Sequence, residues 1–255
     1  MGALRALTEL TATFQGADAL VLCYHRVRDR ERFTAQMHAL ADLGNPVLSI
    51  EEFIALLAGR RPLPAPAVLL TFDGCYSDQL EHAVPVLNSF NFPATFFPLS
   101  ASLTVPVAVM RTARRNELRE LVKSGHTIGC HTHTHPDLTR LAMANLQREV
   151  VGSKQLLEDA VGQRVRAFCY PYGACNPQVA SLVRDAGFDV AFTVELGGVR
   201  FGTDPYRLKR LPVFGEPRPG EFSAYLSGTF LVSGPTLLLW KVRERLLDRQ
   251  APAIQ

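Results

Sequence analysis

The chain has a single tryptophan, an odd set of five cysteines and a net charge of only +3 at neutral pH. Five cysteines without paired spacing do not make the disulfide framework of a small secreted domain, so they are expected to be reduced thiols. Lysine and arginine are spread along the chain rather than gathered into a stripe, which excludes the electrostatic footprint of a nucleic-acid-binding protein. Internal repeats and low-complexity tracts are absent as well. The first 14 residues lack a long apolar core, because Arg5 and Glu9 interrupt it, and lack a small-residue cleavage site. The expectation is no secretory signal and a cytoplasmic location, with any membrane substrate met at the inner face.

Long hydrophobic runs are scarce. The stretch 222–240 has no charged residue and is followed by Lys241, Arg243 and Arg245. Its length approaches that of a bilayer span. Gly228, Gly234, Pro235 and the serines 223, 227 and 233 break it into short pieces. It is therefore expected to be an extension (221–255) packed on the main domain (1–220), with membrane-surface contact as the alternative.

What is present is a 255-residue chain, 47% hydrophobic and 20% charged, enough for one domain with a sizeable core. Short β-branched runs alternate with stretches of helical period, which argues for an α/β domain with mostly parallel strands. Strands are expected at 19–24, 68–72, 94–98, 126–130, 165–170 and 190–193. Helices are expected at 33–43, 50–57 after the N-cap Ser49, 78–90, 116–124, 146–160 and 177–186. The Pro-rich stretch 61–67 cannot be regular structure and reads as a loop. Polar residues of interest fall at strand ends, where α/β folds build their sites.

Two segments hold chemistry. In His131-Thr132-His133-Thr134-His135-Pro136, three of the seven histidines lie just beyond a strand. Two neutral imidazoles four residues apart, His131 and His135, suit a divalent ion such as zinc; His133 between them supports the pair or points elsewhere. In Leu70-Thr71-Phe72-Asp73-Gly74-Cys75-Tyr76, a hydrophobic strand stops on a carboxylate placed to act as a base, although a turn aspartate has the same appearance.

Asp73 after Leu-Thr-Phe, His131 and His135, and Phe168-Cys169-Tyr170-Pro171-Tyr172-Gly173 come in the order and at roughly the spacing of the polysaccharide deacetylases, the NodB-homology or carbohydrate esterase family 4 group. Phe92-Pro93-Ala94-Thr95-Phe96-Phe97 and Ser124-Gly125-His126-Thr127-Ile128-Gly129 resemble further family segments, so that the resemblance runs from about residue 19 to about residue 213. It implies a distorted (β/α) barrel. It also implies Asp73 as catalytic base, His131 and His135 as metal ligands, and the Tyr172 N–H facing the oxyanion. No histidine follows His135, but Cys23-Tyr24-His25-Arg26-Val27 is similar to the opening of a circularly rearranged subgroup whose catalytic acid comes from the first strand, which makes His25 the acid.

Two positions depart from the family pattern. Gly74 stands where the family has its metal-binding aspartate, and Cys169 stands where many members have the arginine that orients the base. Arg210, within Leu208-Lys209-Arg210-Leu211-Pro212-Val213, resembles an arginine supplied from a later strand and would pair with Asp73. For the missing carboxylate three remedies are open: Asp73 itself coordinates, Cys75 or Asp78 turns in, or the site works without metal. The implied function is metal-dependent (zinc or another divalent ion) removal of an N-acyl group, N-acetyl first, from a sugar or glycan intermediate of bacterial envelope or exopolysaccharide synthesis. The alternative is an impaired relative that binds a glycan or partner protein without turnover. Oligomeric state, sugar and acyl group are left open.

Overall fold

The computed structural model describes residues 16–59, 66–103, 111–213 and 217–226. The amino-terminal stretch, most of the Pro-rich loop and all of the uncharged stretch beyond residue 226 lie outside them.

Among the described residues seven strands form the sheet: β1 (Ala19–Tyr24), β2 (Ala67–Asp73), β3 (Thr95–Phe97), β4 (Thr127–Ile128), β5 (Ala167–Cys169), β6 (Val190–Leu196) and β7 (Leu208–Pro212). Their spatial order is β4-β3-β2-β1-β7-β6-β5, and every pairing is parallel. Just beyond β4, Cys130 donates its N–H to Ala167 O (2.9 Å) and accepts from Cys169 N (2.8 Å). Those bonds bring the two outer strands together and nearly close the sheet into a barrel. This is the distorted (β/α) barrel expected from the sequence.

Because strand side chains alternate, each strand feeds two cores. Ala67 and Leu69 of β2 face inward with Ala19, Val21, Phe97, Ala167, Val190 and Phe192. Val68, Leu70 and Phe72 face outward, against the surrounding helices. Asp73 is in phase with the inward set, so the alternation that makes the barrel core also aims this carboxylate into the barrel mouth.

The other end of the barrel is plugged by a short helix, α2 (Ile50–Leu57), whose Ile50, Phe53 and Leu56 join the inner core. A capping box starts it, with the Ser49 side chain accepting from Glu52 N and the Glu52 carboxylate accepting from Ser49 N (3.0 Å). The other helices pack outside: α1 (Arg30–Asp42), α3 (Val84–Phe90), α4 (Arg115–Lys123), α5 (Met143–Gln147), α6 (Ser153–Val161), α7 (Pro177–Asp185) and α8 (Pro219–Leu226).

The expected strands and helices occur, with boundaries shifted by a few residues. Two expected helices are more complex. The one at 78–90 opens with a π-helical turn (Gln79–Ala83) before α3, and the one at 146–160 is α5, a π-helical turn (Arg148–Gly152) and α6. A π-helical turn takes up one extra residue and changes which face of the helix meets the barrel. At the carboxyl end, Phe222 of α8 is fully buried in the outer core, beside α1. No helix among the described residues is long and apolar enough to cross a membrane.

Candidate active site

The inward-facing residues at the carboxyl ends of the strands converge at one mouth of the barrel. Asp73 ends β2 and is only 2% exposed. Arg210 of β7, 1% exposed, grips it with two parallel bonds, Nη1 to Oδ1 and Nη2 to Oδ2, each 2.8 Å. The guanidinium is aimed by its Nε, which donates to Thr193 O at 2.9 Å. Burial works against ionisation of Asp73, but Arg210, His131 and His25 outweigh it and hold the carboxyl well below the usual range.

The family's arginine position is filled by Cys169, whose thiol donates to Asp73 Oδ2 (3.4 Å) and accepts from Arg210 Nη2 (3.1 Å). Cys23 of β1 donates to the same Oδ2 at 3.5 Å. Burial raises both thiols above their ordinary range, so both serve Asp73 as S–H donors.

His25 follows β1, with Nε2 3.7 Å from Asp73 Oδ2 and Nδ1 3.7 Å from Cys23 Sγ. The side-chain amide of Gln79 ties the two strand ends together, donating to His25 O (2.7 Å) and Asp73 O (2.8 Å). His25 and Asp73, 48 positions apart in sequence, are thereby adjacent in the mouth.

The histidine pair sits in the loop after β4. His131 Nδ1–H donates to Cys169 O at 2.8 Å, which fixes the tautomer and leaves the Nε2 lone pair facing His135 Nε2, 3.0 Å away. Burial lowers the pKa of His131, and burial together with His131 lowers that of His135 further, so both are neutral imidazoles. The Tyr172 ring packs edge-on against His135 at 4.8 Å between centroids, and the Tyr172 backbone is left-handed (φ 57°), which turns the chain sharply under the pair. His133 points elsewhere, its Nδ1 bonded to Ser100 Oγ at 2.8 Å.

The pair fits two corners of a divalent-metal site, since ligands at about 2.0–2.1 Å from a common ion can span this separation. The third corner is where the chain departs from its family. Gly74 adopts φ +87°, and a Cβ built there would lie 2.3 Å from Tyr76 Cε2 and 2.9 Å from its hydroxyl. The Tyr76 ring thus covers the space where a side chain at 74 would begin, while Arg26 stacks on that ring at 5.3 Å.

One of the three remedies expected from the sequence, that Cys75 or Asp78 turns in, is corrected by these contacts. Cys75 is fully buried in the outer hydrophobic core, facing away from the imidazoles, because its backbone (φ 49°) turns the side chain outward. Asp78 is held by Arg26 Nε (2.7 Å) and Val27 N (3.2 Å). Neither reaches the histidines. Among the described residues, two sets of three donors lie close enough to share an ion, Asp73 with His131 and Cys169, and Asp73 with Cys23 and His25; His135 belongs to neither set. Asp73 belongs to both, but its two oxygens are engaged by Arg210.

The sequence reading missed Cys23, Gln79, Tyr76 and Glu149 as parts of this region. A cysteine two residues before a candidate histidine was the one available signal, since both fall on the same inward phase of β1.

Residues 60–191 match the sequence model of the polysaccharide deacetylase family. The chain is 32% identical over 165 residues to a chitooligosaccharide deacetylase of Bradyrhizobium sp. (strain ANU 289), covering 60% of this chain and 66% of that relative. It is 23% identical over 235 residues to a poly-β-1,6-N-acetyl-D-glucosamine N-deacetylase of Staphylococcus epidermidis, covering 78% and 80% of the two chains. Of the solved structures, IcaB from Ammonifex degensii aligns with a TM-score of 0.73 and 26% identity over 89% of this chain and 98% of that one. With more than half of its length matched and its barrel shared with a relative above one quarter identical, the chain belongs to the polysaccharide deacetylase family, a family of carbohydrate-acting hydrolases.

Proposed function

We propose that this protein hydrolyses the N-acetyl group of a glucosamine-containing glycan or glycan intermediate in bacterial envelope or exopolysaccharide synthesis. The observation that carries the reading is the convergence of Asp73, clamped by Arg210, with His25 and the His131–His135 pair at one barrel mouth. The bacterial relatives whose names specify chitooligosaccharide or poly-N-acetylglucosamine support the substrate class.

In this reading Asp73 orients the attacking water and accepts its proton as the oxygen bonds to the amide carbon. Arg210 disfavours the protonated form of Asp73, so the proton taken from water passes on to the His25 imidazole. His25, 3.7 Å away, is the imidazole that delivers this proton to the leaving amine as the C–N bond breaks. The Tyr172 N–H stabilises the oxyanion from the left-handed turn. The products are a free amine on the sugar and acetate. His131 and His135 would hold a divalent ion, zinc by default, and the chemistry supplied by such an ion when bound is Lewis-acid polarisation of the carbonyl.

The test is acetate release from chitooligosaccharides and from β-1,6-linked N-acetylglucosamine oligomers, with and without added Zn²⁺ or Co²⁺, against an Asp73→Asn control. Release that disappears in the control is expected. Release no greater than the control on every oligomer and metal would overturn the reading.

A second reading, a glycan-binding protein without turnover, is favoured by one observation: the Tyr76 ring covers position 74, where the third metal ligand of the family belongs. Saturable binding of the same oligomers with no acetate would establish it.

A further inference from the structure

Glu149 lies on the π-helical turn between α5 and α6 and is 7% exposed. Its Oε2 accepts from two successive backbone amides, His133 N (2.8 Å) and Thr134 N (2.9 Å), and its Oε1 accepts from Thr134 Oγ1 (2.6 Å). Among the described residues the carboxylate is held by these three donors and by no cation. A buried carboxylate given three donors is both stabilised by them and a stiff anchor for them.

What it anchors is a strained loop. Thr132 and His135 both have left-handed backbones, φ 72° and 67°, unfavourable for side-chain-bearing residues and most so for a β-branched one. Such conformations persist where the surroundings over-determine them. Thr132 Oγ1 accepts from His135 N (3.0 Å), Ser100 N donates to Thr132 O (3.1 Å) and Ala101 N donates to His133 O (3.1 Å), while the amides of His133 and Thr134 are held by Glu149. The backbone of His135 in turn decides whether its Nε2 meets that of His131 at 3.0 Å.

We propose that Glu149 is a positioning residue for deacetylation: by clamping His133 and Thr134 it holds the imidazoles of His131 and His135 in convergence. The π-helical turn supports this assignment. It adds a residue at the point where the helix passes the loop, which places a carboxylate there, while the adjacent Val150 is buried in the outer core.

The kinetic arm of the test rests on the proposed deacetylation; the spectroscopic arms do not. In Glu149→Ala, the amide hydrogens of His133 and Thr134 are expected to exchange at least tenfold faster, with exchange in β1 and β2 unchanged. The imidazole ¹⁵N signals of His135 are expected to shift or broaden. Glu149→Gln, which keeps one carbonyl acceptor for the two amides, is expected to restore most of both. With substrate, kcat is expected to fall at unchanged KM in Glu149→Ala and to recover in Glu149→Gln. Should Glu149→Ala not fold, Thr134→Val removes one of the three donors at nearly constant shape and is expected to move the His135 signals in the same direction by a smaller amount.

Wild-type exchange and His135 signals in Glu149→Ala, or in Thr134→Val where that is the variant used, would overturn the proposal. So would exchange that accelerates equally throughout the barrel. If the wild-type protein releases no acetate, the functional reading falls while the exchange and imidazole measurements still decide the role of Glu149.

Discussion

Arg210 and Asp73 meet in a two-pronged pair, both N···O distances 2.8 Å, although they lie on strands 137 positions apart in sequence and each is almost wholly excluded from solvent. In the barrel, β1 lies between their strands, so the long side chain of Arg210 has to cross the mouth under Thr193 O to reach the carboxylate. Removing one partner of such a pair leaves a buried charge without compensation, whereas the intact pair contributes little net stability.

Arg210→Met is therefore expected to destabilise the protein by about 3–5 kcal/mol, and Arg210→Lys, which keeps the charge but loses the planar fork, by less. Denaturant unfolding measures both. Because the folded Asp73 carboxyl is held below its ordinary value of 3.8, its contribution to stability is complete above that pH and is lost only as pH falls toward the lower folded value. The activity of the wild-type protein should accordingly show no acid limb from Asp73 near pH 4. In Arg210→Lys burial is opposed less effectively, and an acid limb is expected to move up into the measurable range. An identical pH–rate profile in both proteins would contradict this account of Asp73.

Restoring the family's carboxylate is not a matter of position 74 alone. Gly74→Asp would place a Cβ 2.3 Å from the Tyr76 ring on a backbone at φ +87°. The single variant is expected to lose about 1–3 kcal/mol and to gain little Zn²⁺ affinity. Gly74→Asp with Tyr76→Ala is expected to bind Zn²⁺ at least tenfold more tightly than the single variant. Calorimetric titration of the two proteins distinguishes this from the simpler expectation that one substitution suffices.

His126 offers an acid-stability test away from the site. Burial depresses its pKa from 6.5 to about 4, while Nε2 bonds Asn88 Oδ1 at 3.0 Å and Nδ1 has no hydrogen-bond partner among the described residues. As pH falls below 6.5 the unfolded chain takes up a proton that the folded one refuses, so stability is lost until the folded histidine titrates near 4. The loss is on the order of 3 kcal/mol over that window. His126→Gln is expected to flatten this part of the stability–pH curve, as measured by urea unfolding from pH 7 to pH 4.

The thiols give a quick check on the arrangement of the mouth. Cys23, Cys75, Cys130 and Cys169 are buried and Cys175 is partly exposed. A chromogenic disulfide reagent is expected to modify one thiol per native chain and five after denaturation. Cys75→Ala is expected to leave metal content unchanged, because its sulfur lies in the outer core.

Much of the barrel was readable along the chain because its signals are local. The run Ala19–Tyr24 is wholly apolar or aromatic and is wholly buried as β1, and Ser49 with Glu52 starts α2 through a bond pattern spanning four residues. The two helices that departed did so through π-helical turns, where one extra residue rotates the buried face by about 100° without a change in composition that a 3.6-residue period would register. That is why Glu149 read as an ordinary polar position and not as the anchor of the histidine loop.

What the sequence by itself determined is the set of reacting groups and their order: a carboxylate at the end of a buried strand, a histidine after the first strand, two histidines four apart after the fourth, and no carboxylate at 74. Strand alternation is enough to aim Asp73 inward, because its phase is set by Ala67, Leu69 and Thr71. Tertiary structure alone decided how those groups are tuned. The fork of Arg210 on Asp73, the two thiols that share the carboxylate and the grip of Glu149 depend on assembling the barrel, whereas the Tyr76 ring over Gly74 and the outward turn of Cys75 follow from the backbone just after β2. Closure sets the distances between residues tens of positions apart, and no local period encodes those distances.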